Sequence, residues 1–298
     1  MNSYTFNIAL NGAVHARISD PTTPQNKPLL VFLHYWGGSS STWYKLTFPD
    51  SATSLSDKYT MVAIDLRGWG QSTGPLDGAD ESQYSIGPMA SDVAGLLQHL
   101  HANNDTRHLF AHGVVLTGHS MGAKVALATL TLLRTHLLDL VKGLVLIAPA
   151  PPTALHLPSH MKEQQKVAYE TKESITWSVE NVLGHLDRLS KEDMKMIVRD
   201  SLGGNPLAKM AWPLVGMAED ITADLKKVLL FSGRLQGLRV RILVGEVDPV
   251  ETKERVDQEV ASFLAARGLD VSVKVVPGAR HLIPLEAPEA VQRELLEF

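Results

Sequence analysis

The chain has 298 residues, of which 44% are hydrophobic and 20% charged, and it carries a formal net charge of −4 with no cysteine. This composition is that of a globular protein long enough to bury a sizeable core. The small negative charge excludes the basic footprint of a nucleic-acid-binding protein. The lack of cysteine excludes disulfides, thiolate catalysis and cysteine-ligated metals.

The beginning of the chain has no basic segment followed by an apolar core, so no secretory signal is predicted. No apolar run approaches the length of a membrane span. We therefore expect a cytoplasmic protein with no membrane span and no nucleic-acid partner. The composition does not distinguish a monomer from a dimer.

Alternating and continuous apolar segments predict a β-sheet. Apolar residues occupy every second position in 4–10 and again in 14–18, and Asn11 and Gly12 lie between them, which predicts a β-hairpin. Continuous apolar strands are predicted at 29–33, 61–64, 114–117, 141–148, 240–244 and 271–276. Helical patterns follow at 86–101, 123–134, 252–267 and 288–298. Strands that are apolar on both faces and alternate with helices indicate a mostly parallel, doubly wound α/β sheet.

One long region does not follow this alternation. Residues 151–234 contain no convincing strand but have helical patterning at 161–171, 175–189, 191–202 and 208–218. Ser190 followed by Asp193 is typical of a helix N-cap with an acidic third residue. We predict an all-helical cap at 151–234, inserted between core segments 1–150 and 235–298.

The most informative motif is Gly118-His119-Ser120-Met121-Gly122, which reads G-x-S-x-G. It lies between a predicted strand and a predicted helix, which is the context of a nucleophile elbow. Such a turn is tight and strained, so the residues beside the serine must be small. The start of the following helix places backbone N–H groups near the serine, where an oxyanion would form.

Four loops follow predicted strands and carry glycine and polar residues: 34–38, 65–72, 245–250 and 278–281. In open α/β sheets, ligands and chemistry gather at the carboxyl ends of the strands. These loops therefore surround the predicted elbow.

Together, and in this order, the motifs resemble those of an α/β-hydrolase with a helical cap. The motifs on which the resemblance rests are the His34 loop, D-x-R-G-x-G-x-S from Asp65, the serine elbow, G-x-x-D ending at Asp248, and His281 near the C-terminus. The resemblance implies that Ser120 is the nucleophile, His281 the base and Asp248 the acid that orients it. It also implies that the backbone N–H groups of Trp36 and Met121 form the oxyanion hole.

Several nearby residues have competing interpretations. Glu246 is a rival acid, but the family turn favours Asp248; residues 149–152, where some relatives place the acid, contain no carboxylate. His34 and His119 are expected to hold loop geometry. Asp65 and Arg67 are expected to form a buried pair that braces two loops, and Lys124 is expected to be a solvated helix residue.

Tyr35 replaces the glycine that usually follows the loop histidine, so its side chain could narrow the pocket or present a phenol to the substrate. Aromatic and methionine side chains that could line the pocket are Tyr35, Trp36, Met121, Tyr169, Trp177, Trp212 and Met217. An apolar, aromatic lid favours a hydrophobic substrate.

A serine at the elbow argues against epoxide opening and dehalogenation, which use a carboxylate there in this family. The leading hypothesis is hydrolysis of a carboxylic ester or lactone, with no cofactor and no metal. One alternative is cleavage of a carbon–carbon bond, or a lyase reaction, on the same triad. Others are a hydrolase-like ligand receptor with negligible turnover, and a perhydrolase.

Overall fold

A computed structural model describes residues 1–9, 12–21, 26–75, 79–231 and 233–298. These residues form one eight-stranded sheet in the order β1-β2-β4-β3-β5-β6-β7-β8. The strands are Asn2–Ala9 (β1), Gly12–Ser19 (β2), Leu29–Leu33 (β3), Met61–Ile64 (β4), Val114–His119 (β5), Val141–Ile147 (β6), Arg239–Gly245 (β7) and Asp270–Val276 (β8). β2 runs antiparallel to both of its neighbours, and the other neighbouring strands are parallel. The predicted doubly wound, mostly parallel sheet is confirmed.

Helices connect most of the strands. The α-helices are Tyr44–Thr47 (α1), Ile86–Ala102 (α2), Met121–Leu132 (α3), Thr135–Leu138 (α4), Ser159–Val167 (α5), Lys172–Ser178 (α6), Lys191–Gly203 (α7), Pro206–Leu214 (α8), Thr222–Phe231 (α9), Lys253–Arg255 (α10), Ser262–Ala265 (α11), Ile283–Glu286 (α12) and Pro288–Leu296 (α13). Shorter 3-10 turns occur at Ser40–Trp43, Glu81–Tyr84, Arg107–Phe110, Leu186–Arg188 and Gly216–Ala218. π-helical stretches occur at Val179–Leu183 and Val256–Ala261.

β3 shows why the sheet must be covered on both sides. All five of its residues are buried. Because successive side chains of a strand point to opposite faces, Val31 lies in one apolar cluster and Phe32 in another. α2 and α3 contribute Val93 and Val125 to the first cluster, and α13 contributes Val291 to the second. A strand of this composition is therefore stable only between two helical layers.

The N-terminal hairpin is also confirmed. β1 and β2 pair antiparallel, with Phe6 opposite Val14 and Ala9 opposite Gly12. Asn11, on which the turn prediction rested, lies outside the described residues. Pairing of β2 with β4 joins this hairpin to the parallel part of the sheet.

The region between β6 and β7 contains α5 to α9, and no strand occurs in it within the described residues. The predicted helix N-cap at Ser190, before α7, is present. Ser190 Oγ accepts a hydrogen bond from Asp193 N, and the Asp193 carboxylate accepts one from Ser190 N. α9 was missed by the sequence analysis. Its signal was Leu225 and Leu229, two buried residues one turn apart. Within the described ranges, no helix is long and apolar enough to cross a membrane.

Candidate active site

Ser120 lies between β5 and α3, at the carboxyl edge of the sheet. Its backbone has φ 55° and ψ −117°, a conformation that L residues rarely adopt. Such strain costs about 1–3 kcal/mol and persists only where the surrounding structure enforces it. Here Ser120 N donates to Ile147 O at 2.8 Å, and Ala150 N donates to Ser120 O at 3.3 Å. The neighbouring strand thus holds the serine in its turn.

The two glycines of the motif allow the elbow to pack closely. A Cβ atom at Gly118 would collide with the first turn of α3, and one at Gly122 would collide with the carbonyl oxygens of Leu33 and His34. Because these obstacles are backbone atoms, a larger side chain could be accepted only by moving the helix or β3. The small residues predicted from the motif are therefore required by packing.

His281 and Asp248 meet next to this elbow. His281 Nδ1 donates to Asp248 Oδ2 at 2.8 Å, and both side chains are buried. The other oxygen of Asp248 accepts from the backbone N–H groups of Val250 and Glu251 at 2.7 and 3.2 Å. These bonds fix the carboxylate, which in turn fixes the ring orientation of His281 and leaves its Nε2 free to exchange a proton.

The pKa of His281 is raised above its ordinary value of 6.5. Burial by itself lowers this pKa, but the charge and hydrogen bond of Asp248, together with the charges of Glu251 and Glu286, outweigh burial. Ser120 and His281 line the same cavity, although no hydrogen bond joins their side chains in the described structure. Bonds between catalytic groups often shorten only when substrate binds.

The rival acid, Glu246, lies in a different environment. Its carboxylate accepts a hydrogen bond from Gly278 N at 2.8 Å, whereas Asp248 bonds the histidine. A third carboxyl group, Glu251, was not predicted; it is buried three residues after Asp248. Burial raises the pKa of Glu251 to about 8. A carboxyl group three residues after the predicted acid was its available signal.

The loop 34–38 presents the first predicted oxyanion donor. Tyr35 O accepts hydrogen bonds from His34 Nδ1 at 2.7 Å and from Gly38 N at 3.0 Å. In a trans peptide the N–H points opposite to the carbonyl, so these two bonds also fix the direction of Trp36 N–H. Within the described part of the chain, neither Trp36 N–H nor Met121 N–H donates a hydrogen bond. Both remain available to an oxyanion.

His34 and His119 support this geometry, as the sequence analysis expected. His34 Nε2 accepts from Leu66 N at 2.9 Å, which with its Nδ1 bond defines a neutral ring that joins two loops. His119 Nε2 donates to the carbonyl of His281 at 2.8 Å. Burial lowers the pKa of both histidines, so both remain neutral supports.

The expected pair between Asp65 and Arg67 is wrong. Asp65 bonds His15 at 2.8 Å, while Arg67 makes a two-pronged contact with Asp92 on α2 at 2.7 and 2.5 Å. The reason is register: Ala16 on β2 pairs with Ile64 on β4, which places His15 next to Asp65. Both residues are buried and brace loops, but with different partners.

The expectation that Lys124 is solvated is also wrong. Its side chain is 0% exposed, and its ammonium group donates to Thr153 O at 3.1 Å and to Met217 O at 3.4 Å. Burial lowers its pKa to about 8. The chain segments before α5 and after α8 pack over this face of α3, and the sequence pattern of α3 alone could not show that.

A cavity of about 160 Å³ opens beside Ser120 and His281. Five of the predicted pocket residues line it: Tyr35, Trp36, Tyr169, Trp177 and Trp212. Met217 does not line the cavity. It is buried, and its carbonyl accepts hydrogen bonds from Leu155 N and from the Lys124 ammonium group. The Met121 side chain is also buried and is not among the lining groups of the described residues.

The remaining polar lining of the cavity is neutral. Gln164, Gln165 and Ser178 contribute side chains from α5 and α6, which sequence analysis did not single out. Apart from His281, no described lining residue is a lysine, arginine, histidine or carboxylate. Across the described residues, no group of three or more histidine and carboxyl side chains is placed to hold a metal ion.

A model of the alpha/beta hydrolase family matches residues 30–294. The chain belongs to this family. This alpha/beta hydrolase is 24% identical over 279 residues to 2-(acetamidomethylene)succinate hydrolase of Mesorhizobium japonicum, covering 91% of this chain and 87% of that protein. It is 26% identical over 291 residues to a bifunctional esterase/perhydrolase of Acinetobacter calcoaceticus, covering 92% of each. A solved structure of a thermophilic esterase from Thermogutta terrifontis has a TM-score of 0.68 at 26% identity, covering 100% of this chain and 97% of that one.

Proposed function

We propose that this alpha/beta hydrolase is a serine hydrolase that cleaves a carboxylic ester or lactone of a small, hydrophobic, uncharged molecule. The observation that carries the proposal is that Ser120 and the Asp248-linked His281 line one aromatic cavity. The N–H groups of Trp36 and Met121, which donate no hydrogen bond to any described residue, give further support.

In the proposed reaction, Ser120 Oγ attacks the acyl carbon while His281 Nε2 takes its proton. Trp36 N–H and Met121 N–H stabilise the oxyanion, and the alcohol leaves with the proton from His281. Water then attacks the acyl-enzyme and gives its proton to His281. The acid is released, and Ser120 recovers the proton. Neither a metal nor a cofactor takes part.

The cavity supports an uncharged substrate of limited size. About 160 Å³ is close to the volume that holds one benzene ring in an engineered apolar cavity. A carboxylate brought into an apolar cavity without a cationic partner pays a large desolvation cost. A succinate-type substrate, named for the Mesorhizobium relative, therefore suits this cavity poorly.

We also propose that residues 151–234 act as a cap over a core formed by 1–150 and 235–298. Tyr169, Trp177 and Trp212 reach the cavity from this region. Trp36 Nε1 donates to Lys209 O at 3.1 Å, so the region also contacts the loop that carries the proposed oxyanion donor.

The test compares wild type, Ser120→Ala and Ser178→Ala with a fluorophosphonate probe and a graded series of p-nitrophenyl esters. Ser120→Ala should lose labelling and about 10⁴- to 10⁶-fold in turnover. Ser178 is the matched control, because it lines the same cavity but donates its hydroxyl to Ser174 O. Ser178→Ala should still be labelled.

The other outcomes separate the competing functions. Labelling of wild type without turnover of any ester or lactone would overturn the ester proposal in favour of carbon–carbon cleavage, to be followed with vinylogous diketones. Absence of labelling in wild type would favour a ligand receptor.

Perhydrolysis is a second candidate, because the Acinetobacter relative is described as an esterase and a perhydrolase. Hydrogen peroxide would replace water in the attack on the acyl-enzyme and would release a peracid. Peracid formation by wild type but not by Ser120→Ala would support it.

A further inference from the structure

A second cavity, of about 340 Å³, lies away from the aromatic one. It is lined by β2, the residues that follow the loop 34–38, the loop after β4 and the end of α7. Arg17, Ser41 and Arg199 are the groups that distinguish it. None of them belongs to the proposed catalytic site.

Two guanidinium groups converge on one hydroxyl in this cavity. Arg17 Nη2 donates to Ser41 Oγ at 3.2 Å, and Arg199 Nη2 donates to the same oxygen at 3.1 Å. Guanidinium groups only donate hydrogen bonds, so the hydroxyl proton of Ser41 is not used by either of them. Two like charges this close repel each other unless an anion lies nearby.

The carboxylates of the cavity are already engaged. Asp200 Oδ1 accepts from Arg199 Nε at 2.8 Å, and Asp200 Oδ2 accepts from Ser39 Oγ at 2.6 Å. Asp65 accepts hydrogen bonds from His15 and from two backbone N–H groups. Among the described residues, no carboxylate lies at ion-pair distance from Arg17. Among the described residues, Arg17 is therefore the guanidinium of this cavity that no carboxylate contacts directly.

We propose that this cavity binds a phosphate group, carried by inorganic phosphate or by a phosphomonoester. Arginine suits such a ligand because its planar N–H groups bond two oxygens at once. Arg199 can turn toward the ligand, since its side chain is 65% exposed. The Ser41 hydroxyl supplies a third donor. Ser39 and Asp200, which are joined by a hydrogen bond, also line this cavity, and Ser39 directly follows the loop 34–38. A ligand here would therefore lie next to that loop.

The test measures binding of inorganic phosphate and of glycerol phosphate by calorimetry and by the shift of melting temperature. Arg17→Gln should weaken binding by about tenfold or more, because it removes a charged hydrogen-bond donor. Arg17→Lys, which keeps the charge but not the two-pronged geometry, should recover part of the affinity. Whichever ligand binds more tightly identifies the source of the phosphate group.

Arg134→Gln is the matched control, because Arg134 is exposed and lies at the start of α4. It should bind phosphate like wild type. Sodium chloride at equal ionic strength controls for screening. The proposal is overturned if neither ligand binds, if sodium chloride produces the same shift, or if Arg17→Gln binds phosphate as tightly as wild type. Melting curves without ligand check that each variant is folded.

Discussion

At the scale of single residues, His281 shows how burial and charge oppose each other. Its side chain is 2% exposed, and burial favours the neutral ring. Asp248, bonded at 2.8 Å, favours the charged ring, and its effect combined with the charges of Glu251 and Glu286 exceeds that of burial, because the pKa is raised. A histidine of this kind is held in one orientation and accepts a proton readily, but it can act as a base only above its own pKa.

We expect kcat/KM for ester hydrolysis to fall as pH decreases, with a midpoint above 6.5. In the proposed reaction the neutral His281 is the active form, and its raised pKa moves protonation to higher pH. Asp248→Asn should lower this pKa and reduce turnover by about 10⁴-fold. A pH–rate profile of wild type measures the midpoint.

An NMR titration of His281 compares Ser120→Ala with Ser120→Ala/Asp248→Asn, so that turnover plays no part. A midpoint at or below pH 6.5 in the wild-type pH–rate profile would contradict the prediction. So would equal histidine pKa values with and without the Asp248 carboxylate.

At the scale of elements, the region between β6 and β7 holds the loop 34–38 through hydrogen bonds to the carbonyl groups of that loop. Tyr169 Oη donates to Trp36 O at 2.8 Å, and Ser201 Oγ on α7 donates to Gly37 O at 2.8 Å. The bonds within the loop already direct Trp36 N–H, and these two keep the following peptides in place. A loop fixed in this way needs little reorganisation when negative charge develops on the substrate.

Tyr169→Phe should therefore lower kcat several-fold while lowering stability by about 1 kcal/mol. Tyr59→Phe is the matched control, because the buried Tyr59 hydroxyl donates to Leu295 O at 3.0 Å among residues of the opposite apolar cluster. It should lose similar stability but keep its kcat. Steady-state kinetics and urea unfolding provide the two measurements. Equal effects of the two substitutions on kcat would show that the Tyr169 bond does not position the loop.

At the scale of the whole molecule, Lys124 joins three segments. It lies on α3, which begins directly after Ser120, and it bonds carbonyls on both sides of the helices α5 to α8, at Thr153 and Met217. Two hydrogen bonds to neutral carbonyls only partly replace the hydration of an ammonium group, and the pKa of about 8 reflects this.

Lys124→Met should change how stability depends on pH. Between about pH 8 and the ordinary lysine value of 10.5, the unfolded wild type binds more protons at this position than the folded protein. Wild-type stability should therefore gain up to about 1.4 kcal/mol per pH unit there relative to Lys124→Met. The gain is complete above 10.5 and is lost as pH falls toward 8.

Urea unfolding at several pH values from 7 to 10 measures this difference. Lys142→Met, which removes an exposed lysine of β6, controls for the loss of a surface charge. Parallel stability curves for wild type and Lys124→Met would contradict the prediction.

Local sequence determined the strands, the elbow and the order of the proposed triad residues. Alternation, continuous apolar runs and small residues beside Ser120 act over a few neighbouring positions, so they could be read without the fold. The bounds moved only slightly, as in β5, predicted at 114–117 and observed at Val114–His119. A similarly local pattern, a serine followed three residues later by an acidic residue, predicted the helix N-cap at Ser190.

Only the tertiary structure decided which distant side chains are partners. The antiparallel register of β2 and β4 places Asp65 beside His15. The region between β6 and β7 covers Lys124 and brings Arg199 beside Arg17. Glu251 becomes buried because the loop after β7 folds back beside His281. Such pairings depend on how elements pack across the molecule, and residue spacing along the chain does not encode that packing in a form that a local pattern can reveal.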